Sequence, residues 1–305
     1  MFDKKINLFL PGELTNYTFC NSFSEINNKN KNSIILVNEN TFSNIELLKA
    51  SNDLGYKIVV KINETKPLYY RNTMIYGLLI DDVNLKEKYL DEINSMVLDF
   101  SKYDLFLVDF DGTIVDTMRM WYSICPDFLE YKGVKTNDDV LSLIKSLTNL
   151  EIAKLMHERY FTELSLEEVT EHFFDFIRQQ YLKQNIKSRG IELLKELNKH
   201  GNVILYSATA KSLLCVLLDL FDLYQYFSNV CSGSDLKLTK RDGTGYLEIM
   251  KMTGNYHNVL VLEDAPHAIS GASSQNLDVL ALSDFSNRNS YDIVLKDAKY
   301  FINIE

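Results

Sequence analysis

Asp109 and Asp111 stand one residue apart where an apolar run, DLFLVDF, gives way to Gly112 and Thr113. If the strand persists through them, its two-residue period puts both carboxylates on one side. Neighbouring carboxylates repel, so one takes a raised pKa or the pair recruits a cation, and in a cleft that arrangement suits a nucleophile beside a general acid. Gly112 permits a tight turn and a close approach of backbone N–H groups to an anion. Further reactive groups close later apolar runs: Ser207 ends NVILYSAT, and Glu263-Asp264 ends VLVLEDA. Between them lie two lysines, Lys237 and Lys240, in KLTKRDGTGYL. A plainer reading also fits each piece: an Asx turn at Asp109, a helix N-cap at Ser207 or Thr209, a polar strand end at Glu263.

These groups can meet only if strands deliver them to one edge. From Tyr103 onward the sequence predicts a strand into Asp109, then an almost wholly helical block from about Met118 to Lys187. Within that block DDVLSLIKSL and EEVTEHFFDFIRQQYL carry apolar residues at three- and four-residue spacing. Ile191–Gly201 reads as a helix with Gly201 in the left-handed position past its end. NVILYSAT, a helix from about Lys211, NVLVLEDA, a short helix and LDVLALS follow. This alternation predicts an α/β fold, a doubly wound, Rossmann-like parallel sheet with active groups at the carboxyl ends of its strands and a helical insertion after the first strand.

The first hundred residues form a separate pattern. SIILV, YKIVVKI and TMIYGLLI alternate with helical stretches at IELLKASNDLG and from Leu85 to about Phe100, while Asn27–Asn32 is polar and aperiodic. The expected division is a small α/β accessory domain at 1–100 and a catalytic domain at 101–305, with the insertion at about 118–187. A chain of 305 residues with 46% hydrophobic content is ample for two cores. The net charge of −10 excludes a nucleic-acid backbone as the main partner. Four scattered cysteines show no metal-ligand spacing and fit a reducing compartment. Neither a signal peptide nor a membrane span of about 18 apolar residues is legible, so a cytoplasmic location is expected. The five histidines show no catalytic grouping, although His267 lies close after Asp264.

Residues from Tyr103 to about Ser283 resemble the haloacid dehalogenase superfamily of phosphatases. LVDFDGTIVDT is similar to its first motif, Ser207 to its second, Lys240 with Tyr246-Leu247 to its third, and EDAPHAISG to its fourth. Arg241 and Gly243 replace two prolines of the third motif, Ala265 replaces a serine of the fourth, and Gly271 falls later than usual. The resemblance implies that Asp109 is the nucleophile and Asp111 the acid and base. It further implies that Ser207, Lys240, Gly112 and Thr113 bind phosphate, with Lys237 as competitor for the lysine. Mg²⁺ would be held by Asp109, the Asp111 carbonyl and Asp264, with Glu263 assisting directly or through water. The insertion resembles a class I cap, from which Arg119, Lys145 and Arg159 could reach a small phosphorylated metabolite. A phosphatase, a phosphomutase or phosphotransferase, and a non-catalytic binding protein remain alternatives. Residues 1–100 lie outside the resemblance, and packing, a homo-oligomer contact or a second ligand are all open roles for them.

Overall fold

The computed structural model describes residues 7–30, 33–38, 46–47, 49–50, 55–62, 76–80, 98–135 and 147–304. Runs of branched and aromatic residues make two sheets, both entirely parallel. The first contains β1 (Asn7–Phe9), β2 (Tyr17–Phe19), β3 (Ile34–Asn38), β4 (Lys57–Ile62) and β5 (Gly77–Ile80), in the order β1-β5-β4-β3-β2. Alternate residues of β3–β5 face opposite ways. Ile35, Val37, Ile58, Val60, Leu78 and Ile80 enter one core, and Leu36, Val59 and Leu79 another. A short helix, α1 (Phe23–Asn27), leads into the stretch expected to be a loop and shares only Asn27 with it. The helical stretch expected from Leu85 to about Phe100, apart from residues 98–100, and most of the one at IELLKASNDLG lie outside the described residues.

The second sheet contains β6 (Leu105–Val108), β7 (Asn202–Ser207), β8 (Asn229–Ser232), β9 (Val259–Glu263), β10 (Asp278–Leu282) and β11 (Tyr300–Ile302), in the order β11-β10-β9-β6-β7-β8. All four residues of β6 are buried, as a central parallel strand covered on both faces requires. Phe106 and Val108 pack with α5 (Gly190–Leu197) and α6 (Lys211–Leu220). Leu105 and Leu107 face α8 (Thr244–Thr253), α9 (Pro266–Ser274) and α10 (Tyr291–Asp297), α7 (Gly233–Leu236) being a single turn after β8. From β6 the chain winds outward through β7 and β8, then returns to β9 on the other side and continues to β10 and β11. The winding direction therefore reverses between β6 and β9, and such a switch point leaves a crevice at the strand carboxyl ends.

Between β6 and β7 lie α2 (Met118–Tyr131), α3 (Asn149–Tyr160) and α4 (Leu166–Tyr181). Capping boxes start two of them, Thr148 with Glu151 and Ser165 with Glu168, and in each the Ser/Thr-side N–H bonds hold the glutamate below its ordinary pKa. Phe128 packs within 5.2 to 6.1 Å, between ring centroids, of Phe173, Phe176 and Phe161, which assigns the FFDFIRQQY aromatics mainly to packing. DDVLSLIKS, with Lys145, lies outside the described residues. The chain enters and leaves this block through two paired linkers. Asp116 N donates to the Asn185 carbonyl at 2.9 Å, and Lys187 N to that of Ile114 at 2.9 Å.

One local expectation fails, and one condition set on the sequence is not met. Gly201 does not adopt a positive φ; a Cβ there would meet the Asp104 carbonyl carbon and oxygen at 2.8 Å, so close backbone approach is what needs glycine. The first strand of the second sheet also stops at Val108, before the two aspartates.

Candidate active site

The turn after β6 is built on one carbonyl. Thr113, Ile114 and Val115 all donate backbone N–H groups to Phe110 O, at 2.9 to 3.3 Å, and Gly112 N donates to Val115 O at 2.8 Å. Gly112 sits at φ +80°, and an added Cβ would strike Asp264 Oδ2 and lie 2.6 Å from Met118 Cγ. Glycine is required there both by conformation and by the nearness of the second acidic segment. This turn, rather than a continuing strand, brings Asp111 beside Asp109.

Register does the rest. Val108 pairs with Leu262 and Asp109 N donates to Leu262 O at 3.0 Å, so Asp109, one residue past β6, comes beside Glu263 at the end of β9. Carboxylate oxygens of Asp109, Glu263 and Asp264 all lie within 4.8 Å of one another, and all three residues are buried. Lys240 is buried among them, its Nζ bonded to Asp109 Oδ1 and, at 2.6 Å, to Glu263 Oε1. Lys237 is exposed at the end of α7, which leaves Lys240 as the lysine of this site. Glu263 is saturated: Oε1 also accepts Tyr246 OH at 3.1 Å, while Oε2 accepts the N–H groups of Asp264 and Ala265. The ammonium lies 5.1 Å from the Tyr206 ring centroid and 6.0 Å from that of Tyr246. Gly271 completes this support, because a Cβ there would collide with the Lys240 carbonyl.

Burial, followed by the charge of Glu263, pushes Asp109 above its ordinary carboxylate range, and Lys240 only partly opposes this. Burial would lower Lys240, but Asp109 and Glu263 outweigh it and hold the ammonium above its usual value. The ion pair alone would depress Asp109, so the two partners point opposite ways; crowding of acids resolves the conflict, one lysine serving several carboxylates. Asp264 is raised by burial, then by Glu263 and Asp109. Three crowded hard-oxygen groups with one neutralising lysine fit a small divalent cation.

Asp111 accepts hydrogen bonds from every direction. Thr117 Oγ1, Trp121 Nε1 and Tyr181 OH reach Oδ1 at 2.8, 3.0 and 2.8 Å; Thr209 Oγ1 and Ser207 Oγ reach Oδ2 at 2.7 and 3.4 Å. The first three donors come from a linker and from α2 and α4, the others from the end of β7, so the insertion meets the sheet at this carboxylate. Thr209, expected as a helix cap, instead bonds Asp111; the N-cap of α6 is Ala210. Thr113, expected on phosphate, donates its hydroxyl to Asp264 Oδ1 at 3.2 Å. Arg119 is exposed and stacks on Phe285, Arg159 is exposed in the last turn of α3, and His267 is exposed at the start of α9.

Sequence reasoning missed Thr117, Trp121, Tyr181, Thr209, Ser286 and Asn287. Ser286 Oγ and Asn287 Nδ2 hold the Asp264 carboxylate and carbonyl at 2.7 and 2.9 Å. Tyr181 closes the aromatic helix segment that periodicity marks as packing, and no spacing distinguishes it from its neighbours. Among the described residues no helix is long and apolar enough to cross a membrane.

The family model described as haloacid dehalogenase-like hydrolase matches residues 106–282. A Drosophila melanogaster protein described as a probable pseudouridine-5′-phosphatase is 25% identical over 195 residues, covering 58% of this chain and 80% of that protein. A Thermotoga maritima structure, described provisionally as a β-phosphoglucomutase, superposes with a TM-score of 0.54 at 20% identity, covering 66% of this chain and 95% of the other. CbbY from Rhodobacter sphaeroides, in complex with phosphate, gives 0.53 at 13% identity, with 66% and 93% covered. At these identities the solved structures bear on the fold.

Proposed function

This chain belongs to the haloacid dehalogenase-like hydrolase family, and from that premise we propose that it is a Mg²⁺-dependent phosphatase of a small phosphate monoester, working through an aspartyl-phosphate at Asp109. The observation that carries the reading is the convergence of Asp109, Lys240, Glu263 and Asp264, from three separate segments, at the switch point of the sheet.

In the proposed reaction an Asp109 oxygen forms a bond to phosphorus as the bond to the leaving oxygen breaks, and Asp111 gives that oxygen its proton. Water then attacks phosphorus, Asp111 takes a proton from it, and the Asp109–phosphorus bond breaks to release phosphate. Asp109, Asp264 and the Asp111 carbonyl would hold Mg²⁺, which when bound supplies positive charge to the phosphoryl oxygens and the acid cluster. Glu263, with both oxygens engaged, fixes Lys240 rather than meeting the cation directly. Lys240 neutralises the nucleophile and the phosphoryl group, and Ser207 faces the same group from β7. Thr113 orients Asp264. Thr117, Trp121, Tyr181 and Thr209 orient Asp111, so the insertion acts as a cap that must loosen these bonds when substrate enters.

In this reading residues 101–305 are the catalytic domain and 1–100 an accessory domain. A cap over the site favours a small substrate such as a sugar or polyol phosphate, and the description of the Drosophila relative adds pseudouridine 5′-phosphate to that range. The test is phosphate release from such a panel with Mg²⁺, beside Asp109→Asn. Release by the wild type alone supports the reading; isomer formation without net release points to a mutase, and no turnover of any ester overturns it.

A further inference from the structure

The turn after β10 lies outside the four motifs, yet its residues join the helical insertion to the acid cluster. Ser283, Asp284 and Asn287 are buried, whereas Phe285 is 39% exposed. Asp284 Oδ1 accepts Ser286 N at 2.8 Å, and Asn287 Oδ1 accepts Asp284 N at 3.2 Å, which fixes the turn internally. On its inner side Ser286 holds Asp264 Oδ2 and Asn287 holds the Asp264 carbonyl, while Asn287 also donates to Leu282 O at 2.7 Å.

On the outer side the turn is gripped by segments that carry the insertion. Lys187, in the return linker, forms an ion pair of 3.0 Å with Asp284 Oδ2, both side chains fully enclosed, and donates to Ser283 O at 2.7 Å. The Arg119 guanidinium of α2 lies 4.5 Å from the Phe285 ring centroid, and Tyr122 meets the same ring edge-on at 5.8 Å. A cavity of ≈ 300 Å³ lined by Asp116, Arg119, Asn185, Lys187 and Phe285 opens where linkers and turn meet. Close packing is interrupted there, so discrete contacts carry the connection.

We infer that the turn Ser283–Asn287 couples the helical insertion to Asp264, with Lys187, Asp284 and Phe285 as positioning residues that set the affinity of the acid cluster for a divalent cation. Displacing Phe285 or the Lys187–Asp284 pair moves the Ser286 hydroxyl relative to Asp264 Oδ2, and so changes how that carboxylate is presented. This rests on the reading of Asp264 as a cation ligand.

Calorimetric titration of Mg²⁺ alone into the full-length, chelator-treated protein tests it, using wild type, Phe285→Ala, Phe285→Tyr, the double variant Lys187→Met/Asp284→Asn, and Asp264→Asn. Phe285 is exposed enough for the fold to tolerate its loss, and the double variant leaves no uncompensated buried charge. Phe285→Ala and the double variant are expected to weaken Mg²⁺ binding about tenfold, as outer-shell changes do. Phe285→Tyr restores wild-type affinity, and the melting temperature of Phe285→Ala stays unchanged. Wild-type affinity in Phe285→Ala, with binding lost in Asp264→Asn, overturns the coupling and leaves the cation reading intact. Wild-type affinity in Asp264→Asn overturns the cation reading itself. Weakened binding that tracks a fall in melting temperature and is not rescued by tyrosine marks general loosening, and also overturns the coupling. Should the double variant fail to fold, the Phe285 pair decides alone.

Discussion

Lys240→Met removes the positive charge shared by Asp109 and Glu263 and leaves two buried carboxylates facing each other beside Asp264. Breaking a buried pair from one side costs roughly 3–5 kcal/mol, which for a unit of this size lowers the melting temperature by roughly 10 °C. The sign of the pH dependence follows from Asp109, which burial and Glu263 raise above its ordinary pKa while Lys240 opposes the rise. A carboxyl raised in the folded state holds its proton better there, so its contribution to stability is full below the unfolded pKa and is lost as pH rises through the folded one. Without Lys240 that loss grows. Lys240 is itself raised, so its own loss of stability comes only at pH values above its ordinary pKa, about 10.4, outside the assay. Thermal unfolding in chelator should therefore show a small difference between variant and wild type at about pH 4.5 and the full difference at about pH 8. Added Mg²⁺ should narrow the gap at the higher pH by supplying the missing charge. An equal difference at both pH values, or none at either, would refute the electrostatic reasoning.

Gly112→Ala should destabilise by about 1–3 kcal/mol in chemical denaturation and weaken Mg²⁺ binding, since both a positive φ and a collision with Asp264 oppose the methyl group. Trp121→Phe removes one donor from Asp111; a hydrogen bond to a charged group is worth about 1.5–3 kcal/mol, and if part of that is realised in the transition state kcat falls about tenfold in steady-state kinetics with a smaller change in KM. Because Trp121 is the chain's sole tryptophan, its fluorescence in the wild type should report substrate entry next to Asp111. Chelation should abolish phosphate release, and Mg²⁺ should restore it; release that continues in excess chelator would contradict the cation's role.

The acids, Ser207 and Lys240 were legible in the sequence because strand ends and fixed motifs announce them, and parallel register then makes them converge. The alternation of strand and helix likewise gave the doubly wound sheet, although β8 and β11 were missed as edge strands of four and three residues. Asp111's other partners were not legible. Trp121 and Tyr181 occupy ordinary helical positions, and only the approach of α2 and α4 to the sheet turns packing residues into donors. Gly201 and Thr209 were misread because local rules assigned each a cap, whereas tertiary contact, with Asp104 in one case and Asp111 in the other, decides what each does. Lys187 and Asp284 lie 97 residues apart by their numbers and nothing in either neighbourhood signals a buried pair.

Covalent participation of Asp109 is tested most directly by rapid quench of a turning-over sample followed by borohydride reduction, which converts an acyl phosphate to an alcohol. Peptide mass spectrometry should then find the reduced side chain at position 109, in amounts that rise and decay with substrate, and none in Asp109→Asn. Steady phosphate release from wild type with position 109 unmodified throughout, or undiminished release by Asp109→Asn, would contradict it.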